Sequence, residues 1–326
     1  MSSFQYARPT SLDQAVELLK QQQNRALILA GGTDLLSSLK GGLADPQMLI
    51  DIKGIDSLRG IQSQSRGVRI GALTTISQLL EDENIRSGYP ALIQAADGIT
   101  SPQIRNRGTV GGDLCQRPRC WYYRNGYGLL AQKDGRSMVR DGDNRYHAIL
   151  GNSGSALFVN PSSLAPTLWA YGATLRVAGG RGEREVPCAD FFRTPQREGE
   201  LEYQLAPDEI LVGVDLPQHG ERSATYEVRQ KEALDWPLAS ASVSLVMRAG
   251  RVMEARIVLG HVAPIPWESK AGGEALGGRS ISEEVARQAA DAALEGASPL
   301  SRNGYKVRLA KTAVKRAILR AIGEEV

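Results

Sequence analysis

Two short runs carry the residue types from which this chain could do chemistry. Ala30-Gly31-Gly32-Thr33-Asp34-Leu35 follows directly on the apolar stretch Ala26 to Leu29, and Thr109-Val110-Gly111-Gly112-Asp113-Leu114 repeats its chemistry further along. Each combines two adjacent glycines, a Thr hydroxyl and an Asp. Adjacent glycines let the backbone approach a ligand closely and aim successive N–H groups at one point. A chain can hold a diphosphate that way without many basic side chains. Two such loops suggest two sides of one dinucleotide.

The missing patterns narrow this. Neither run reads G-x-G-x-x-G, and G-x-x-x-x-G-K-[ST] does not occur. Rossmann and P-loop geometries are therefore not expected. A tight turn explains one Gly-Gly pair without any ligand, so the reading rests on the pair of loops. The carboxylates also need partners, because Asp beside a diphosphate repels it unless it accepts hydrogen bonds. Capping of the loops by Asx turns is the plain alternative for Asp34 and Asp113.

The two runs resemble the pyrophosphate-binding segments of the FAD-binding subunits of the xanthine dehydrogenase family of molybdenum hydroxylases. The likeness spans nearly the whole chain. It includes the opening Tyr6-Ala7-Arg8-Pro9-Thr10, the segments Leu49 to Lys53 and Ile70 to Thr75, and Ile104 to Leu114, the most specific stretch. Asp235-Trp236-Pro237 and Gly260-His261-Val262-Ala263-Pro264 are similar to the family's C-terminal domain. Within the family the chain most resembles the subunits of aldehyde oxidoreductases and hydroxybenzoyl-CoA reductases.

The resemblance implies FAD as cofactor. Leu29, Ala30, Gly31, Gly32, Thr33, Asp34 and Leu35 would hold the pyrophosphate. Thr109, Gly111, Gly112 and Asp113 would approach the phosphates and the flavin, with Leu114 and Cys115 near the isoalloxazine. It also implies partners: a small [2Fe–2S] subunit and a large molybdenum-cofactor subunit, the latter oxidising the substrate.

Three departures from the family stand out. Pro161-Ser162-Ser163-Leu164 has Ser163 where many relatives have Asp, so a carboxylate contact to the cofactor is lost or becomes a hydroxyl contact. Glu227 stands where several relatives place a Lys near the flavin, and charge there tunes the cofactor. Some relatives also bind a [4Fe–4S] cluster, which takes four thiolates, in the loop after the second glycine run. Here Gln116 to Tyr123 preserves the start of that loop and Asp143 to Ile149 its end. The cysteines expected near Gly128 and Ser137 are absent, and Cys115 and Cys120 alone do not complete a set. A [4Fe–4S] cluster is not expected in this chain; whether Cys115 or Cys120 serves a shared centre stays open.

Composition bounds the rest. At 326 residues the chain exceeds the ~250–300 at which single cores split. Its net charge of +3 is too small to argue for nucleic acid. No apolar run reaches the ~18 residues of a membrane span, and Met1 to Tyr6 is not a signal peptide. A cytoplasmic protein is expected, periplasmic only if exported with a signal-bearing partner. Cys188 reads as a small buried apolar residue. The histidines His147, His219 and His261 are far apart in sequence and show no metal spacing. His261 reads as a satisfied structural histidine at a strand end.

The elements that must position the loops follow from periodicity. Ser11 precedes an amphipathic helix, Ala26 to Ala30 is a buried strand, and Asp34 to Lys40 a helical turn. Strands are predicted over 48–53 and 68–73, and helices over 75–86 and 90–99. Residues 117–152, rich in Arg, Tyr, Asn and Gly, read as a long insertion or surface loop rather than core. Strands follow over 156–159, 173–177, 185–188 and 210–216, with a boundary at Pro217-Gln218-His219-Gly220. Strands 240–247 and 252–259 form a hairpin. Ser280 with Glu283 caps a helix to Leu294, and Tyr305 to Ile322 forms the last helix, its basic face Lys311, Lys315, Arg316 and Arg320 solvated or docked on an acidic partner.

The expected fold is α+β. An FAD-binding domain of two α/β subdomains, of the vanillyl-alcohol oxidase and p-cresol methylhydroxylase (PCMH) type, spans 1–218, and a smaller domain of antiparallel sheet plus helices spans 219–326. The expected function is electron transfer through FAD to an external acceptor within a molybdenum hydroxylase. The rivals are a stand-alone FAD-dependent oxidase or reductase, and a structural subunit that has lost flavin.

Overall fold

The structure, a computed structural model, describes residues 3–99, 101–218, 222–231 and 235–326. Part of the expected boundary, His219 and Gly220, therefore lies outside the described residues.

A three-stranded parallel sheet opens the chain, in the order Gln5–Ala7, Met48–Asp51, Ala26–Leu29. The helix Leu12–Gln22 covers it, burying Ala15 and Leu19; Ser11 caps it by accepting from the Gln14 amide. The first strand is too short and exposed to leave a periodic signal. A second sheet is antiparallel and five-stranded: Ile61–Gln64, Gly67–Gly71, Ile210–Pro217, Thr174–Gly179, Gly182–Pro187. Its apolar face packs on helices that bury Leu79, Ile85, Leu92 and Leu168. Both sheets flank the segment that carries the second glycine loop.

The third sheet contains Arg222–Arg229, Pro237–Arg248, Arg251–Gly260 and Trp267–Glu268, all antiparallel. The expected hairpin is its centre. Helices Glu283–Ala293 and Tyr305–Ala321 cover one face with small residues, including Ala286, Ala289, Ala310, Ala313 and Ala317. A buried hydroxyl trio, Thr167, Thr225 and Ser242 at 2.7–3.0 Å, joins this sheet to the helix Ala165–Ala170. Among the described residues no helix is long and apolar enough to cross a membrane.

Several expectations need correction. Residues 156–159 form no strand; their side chains fill small cores under the preceding segment instead. The helix expected over 75–86 is two helices, Ile76–Glu81 and Glu83–Gly88, because Asp82 leaves helical geometry and caps the second through the Ile85 amide. The cap of the helix Glu283–Ala293 is Ser282, two residues beyond the predicted Ser280. Residues 117–152 are not merely a surface loop. They bury Leu129, Leu130, Ala131, Val139 and Ile149, with short helices Trp121–Arg124 and Met138–Asp141. Polar residues dominate the segment's composition and mask the few apolar anchors.

Candidate functional site

The two glycine runs meet. A Cβ built on Gly31 would lie 1.9 Å from the Arg107 carbonyl oxygen and 3.2 Å from Gly108 Cα. The first loop therefore lies against the backbone that leads into the second. Gly32 has φ +77°, a conformation that suits glycine. Among the described residues, the amides of Gly32, Thr33, Asp34 and Leu35 have no protein acceptor. Lys53 adds a cation beside this loop, its Nζ 3.1 Å from the Ala30 carbonyl and 2.7 Å from Asp51. Free amides next to a positive side chain form a cradle for an anion.

The second loop is built differently. Three of its amides are satisfied inside the protein: Val110 donates to Thr74, Gly111 to Ala72, and Gly112 to the Thr109 hydroxyl at 3.1 Å. Gly111 is required by closeness, since a Cβ there would meet Ala72 Cβ at 2.9 Å. This run shapes a wall, whereas the first offers donors. Thr33, Asp34, Thr109, Gly112, Asp113 and Ser163 line one cavity of about 120 Å³ between the loops. Leu114 lies buried behind the wall, and Cys115 is partly buried in the same core. Burial pushes the Cys115 thiol up to about 12, so it is a packing residue at neutral pH.

Neither Asp uses an Asx turn. Asp34 accepts from Arg119 Nη1 at 2.6 Å, Arg124 Nη2 at 2.8 Å and the Arg117 amide at 2.9 Å. Burial alone would raise its carboxyl, but these three donors outweigh burial and hold it below the ordinary range. Asp34 therefore anchors the 117–124 segment over the first loop. Asp113 accepts from the Ser162 hydroxyl, the Leu164 amide at 3.1 Å and Gln116 Nε2 at 2.9 Å. Desolvation of the carboxyl pushes it up to about 6 against those bonds.

Ser163 lines the cavity, and near it lies Glu227, its side chain 7% exposed and its Oε1 without a hydrogen-bond partner. Arg229 pairs with Glu227 and donates to the Gly98 carbonyl at 2.6 Å. Burial raises the Glu227 carboxyl even so. The Ser163 position has thus gained a buried acid–arginine pair from the next sheet.

Residues the sequence reading passed over complete the site: Arg119, whose guanidinium lies 4.6 Å from the Trp236 ring centroid, Arg124 and Lys53. The cluster of arginines at 117, 119 and 124 was the available signal. The histidines also need correction. His147 and His261 line one cavity, and His261 is buried with Nε2 unpartnered rather than satisfied; His219 lies outside the described residues. Among the described residues no group of three metal-ligating side chains forms, and Cys120 packs against Tyr123, Leu129, Leu130, Ala156 and Phe158.

Dinucleotide chemistry fits this arrangement: close backbone approach, unpaired amides, threonine hydroxyls and one lysine. Known proteins agree. Residues 2–219 match the FAD binding domain in molybdopterin dehydrogenase, and residues 224–321 the CO dehydrogenase flavoprotein C-terminal domain. The chain is 31% identical to the carbon monoxide dehydrogenase medium chain of Hydrogenophaga pseudoflava, over 97% of this chain and 96% of that one. It is 29% identical to the aldehyde oxidoreductase FAD-binding subunit of Escherichia coli, over 98% and 99% respectively. A solved carbon monoxide dehydrogenase from Hydrogenophaga pseudoflava superposes with a TM-score of 0.78 at 30% identity, covering 98% of each chain.

Proposed function

The chain belongs to the family of FAD-binding subunits of the molybdopterin dehydrogenases, and from that premise we propose that it binds FAD and transfers electrons within a multi-subunit molybdenum hydroxylase. The observation that carries the reading is the contact of two glycine loops across Gly31 and Gly108, with the amides of Gly32 to Leu35 unpaired among the described residues. In this reading Leu29 to Leu35 and Lys53 receive the diphosphate. Thr109, Gly111, Gly112, Asp113, Leu114, Cys115 and Ser163 form the wall against the rest of the cofactor.

Bound FAD supplies hydride and one-electron chemistry. The chain's own residues do the rest. The Asp34–Arg119–Arg124 network fixes the segment that closes over the first loop and keeps a carboxylate neutralised beside the anion. Glu227, buried with Arg229, sets the charge behind Ser163. The same reading makes 1–218 the cofactor domain and 219–326 the smaller domain, in line with the two family matches. It assigns a small [2Fe–2S] subunit and a large molybdenum-cofactor subunit as partners, and a cytoplasmic location. The resemblance to complexes such as carbon monoxide dehydrogenase supports it.

The test is an absorption spectrum of the purified chain with acid-released flavin and iron measured on the same sample. Flavin bands, about one FAD per chain and negligible iron are expected. Iron near four per chain would mean a cluster in the 117–152 segment. No flavin, even after FAD is added, would leave a structural subunit.

A further inference from the structure

The strand Arg222–Arg229 is an edge of the third sheet, and the helix Pro90–Asp97 lies beside it. Polar contacts join the two at each turn of the helix. At its start the Ala91 amide donates to the Tyr171 hydroxyl, which lies 2.7 Å from Ser223 Oγ. One turn on, Gln94 Oε1 accepts from the Thr225 amide at 2.7 Å, satisfying a donor that an edge strand leaves free. At its end Arg229 Nη2 donates to the Gly98 carbonyl at 2.6 Å. A guanidinium suits that position, where the last helical carbonyls lack partners and the dipole is negative.

We infer that the Glu227–Arg229 pair is a positioning device for the cofactor: it holds Gly98 and Ile99 in place as wall of the cavity between the glycine loops. The inference deepens the FAD reading above and rests on it. Gly98 and Ile99 line that cavity of about 120 Å³ together with Ile104, Thr109 and Gly112.

The pair stands behind this wall. A Cβ built on Gly98 would overlap Glu227 Oε2 and lie 2.5 Å from Arg229 Nη2. Glycine is thus required at 98 by the closeness of the pair and not by its backbone, whose φ of −60° suits any residue. The two side chains are little exposed, 17% for Arg229 and 7% for Glu227, so solvent screens them weakly. Among the described residues Arg229 bonds to Glu227 and to Gly98, and its Nε has no partner. Without Glu227 a single carbonyl would hold a buried, uncompensated cation. The carboxylate therefore keeps the guanidinium on the helix end, and the guanidinium keeps the helix end at the cavity.

Titration of FAD into the flavin-depleted full chain, followed by flavin fluorescence, tests this on the parent and on Gly98→Ala, E227Q, R229M and R229K. The new methyl of Gly98→Ala meets only the movable ends of two side chains. That variant should keep the parent melting temperature yet bind FAD roughly tenfold more weakly. E227Q and R229M should weaken FAD by a similar factor, and combining them should add nothing further, as for two residues acting as one unit. R229K, which keeps a cation near the Gly98 carbonyl, should recover part of the loss.

Midpoint potentials separate position from charge. Losing Glu227 or Arg229 alone changes the local charge in opposite senses, so a pure charge effect raises the flavin potential in E227Q and lowers it in R229M. Opposite potential shifts with FAD affinity unchanged would overturn the inference, as would parent-like affinity in Gly98→Ala. If E227Q or R229M does not fold, Gly98→Ala decides. A parent chain that takes up no FAD sinks the reading and the inference together, whereas parent-like binding by Gly98→Ala sinks the inference alone.

Discussion

Asp34 and Arg119 are joined at 2.6 Å although 85 positions separate them, and the bond ties the first glycine loop to the segment that follows the second. One carboxylate thus connects the diphosphate cradle to the cover over it. Its partners are half-buried, so solvent screens the pair only in part.

Asp34→Asn should lower the stability of the chain by about 1–3 kcal/mol near neutral pH, since Arg119 and Arg124 lose the negative charge of their shared acceptor and the Arg117 amide loses the oxygen it donates to. The Asp34 carboxyl is held below its ordinary 3.8, so its contribution is complete above that value and is lost as pH falls through the folded value. Chemical denaturation of both proteins should show a gap near pH 7 that closes below pH 3.8. A gap that stays constant with pH would mean the bond is worth nothing electrostatically.

Gly31→Ala should abolish FAD retention and destabilise the chain by about 1–3 kcal/mol, because the added Cβ would overlap the Arg107 carbonyl. Gly88→Ala is the matched control: nothing lies within 4 Å of the methyl it would gain, and its φ is not positive. Flavin absorbance after gel filtration distinguishes the two. Normal flavin content in the Gly31 variant would refute the close approach.

Phe158→Ala should cost about 3–5 kcal/mol, as Phe158 is 2% exposed and packs with Tyr123, Leu129 and Leu130. Limited proteolysis should then cut within 117–152, which stays intact in the parent chain. Easy cleavage of the parent there would return the segment to an ordinary surface loop.

Lys306 is fully buried, and its ammonium donates to the carbonyls of Tyr146, His147 and His261. Burial lowers it to about 7 from 10.5. Between those values the unfolded chain binds a proton that the folded chain does not, so stability rises with pH across that window. Relative to Lys306→Met, the parent chain should therefore gain stability from pH 7 to 10.5. Parallel stability curves for the two would show that the ammonium titrates normally.

Much of this protein is legible in its sequence. The two glycine runs, the Ser11 cap, the central hairpin and the last helix are local patterns set by backbone sterics and side-chain period. They suffice to predict an α+β chain with a dinucleotide cradle. The basic face of that last helix makes contacts within the chain: Lys311 pairs with Asp291 and Lys315 with Glu283, while Arg316 and Arg320 lie over Tyr226.

Tertiary structure alone decided which partners each charge and each buried nitrogen would have. Asp34 is a repelling carboxylate in sequence and a neutralised anchor once three arginine-borne donors surround it. Ser163 looks like a lost carboxylate until Glu227 arrives behind it from another sheet. His147 and His261 are unrelated along the chain, yet Lys306 binds the carbonyls of both and they border one cavity. Such pairings join residues far apart in the chain, and loop closure makes them depend on the whole fold. Periodicity reports only which face a residue takes; electrostatics depends on distance, and distance is fixed by packing.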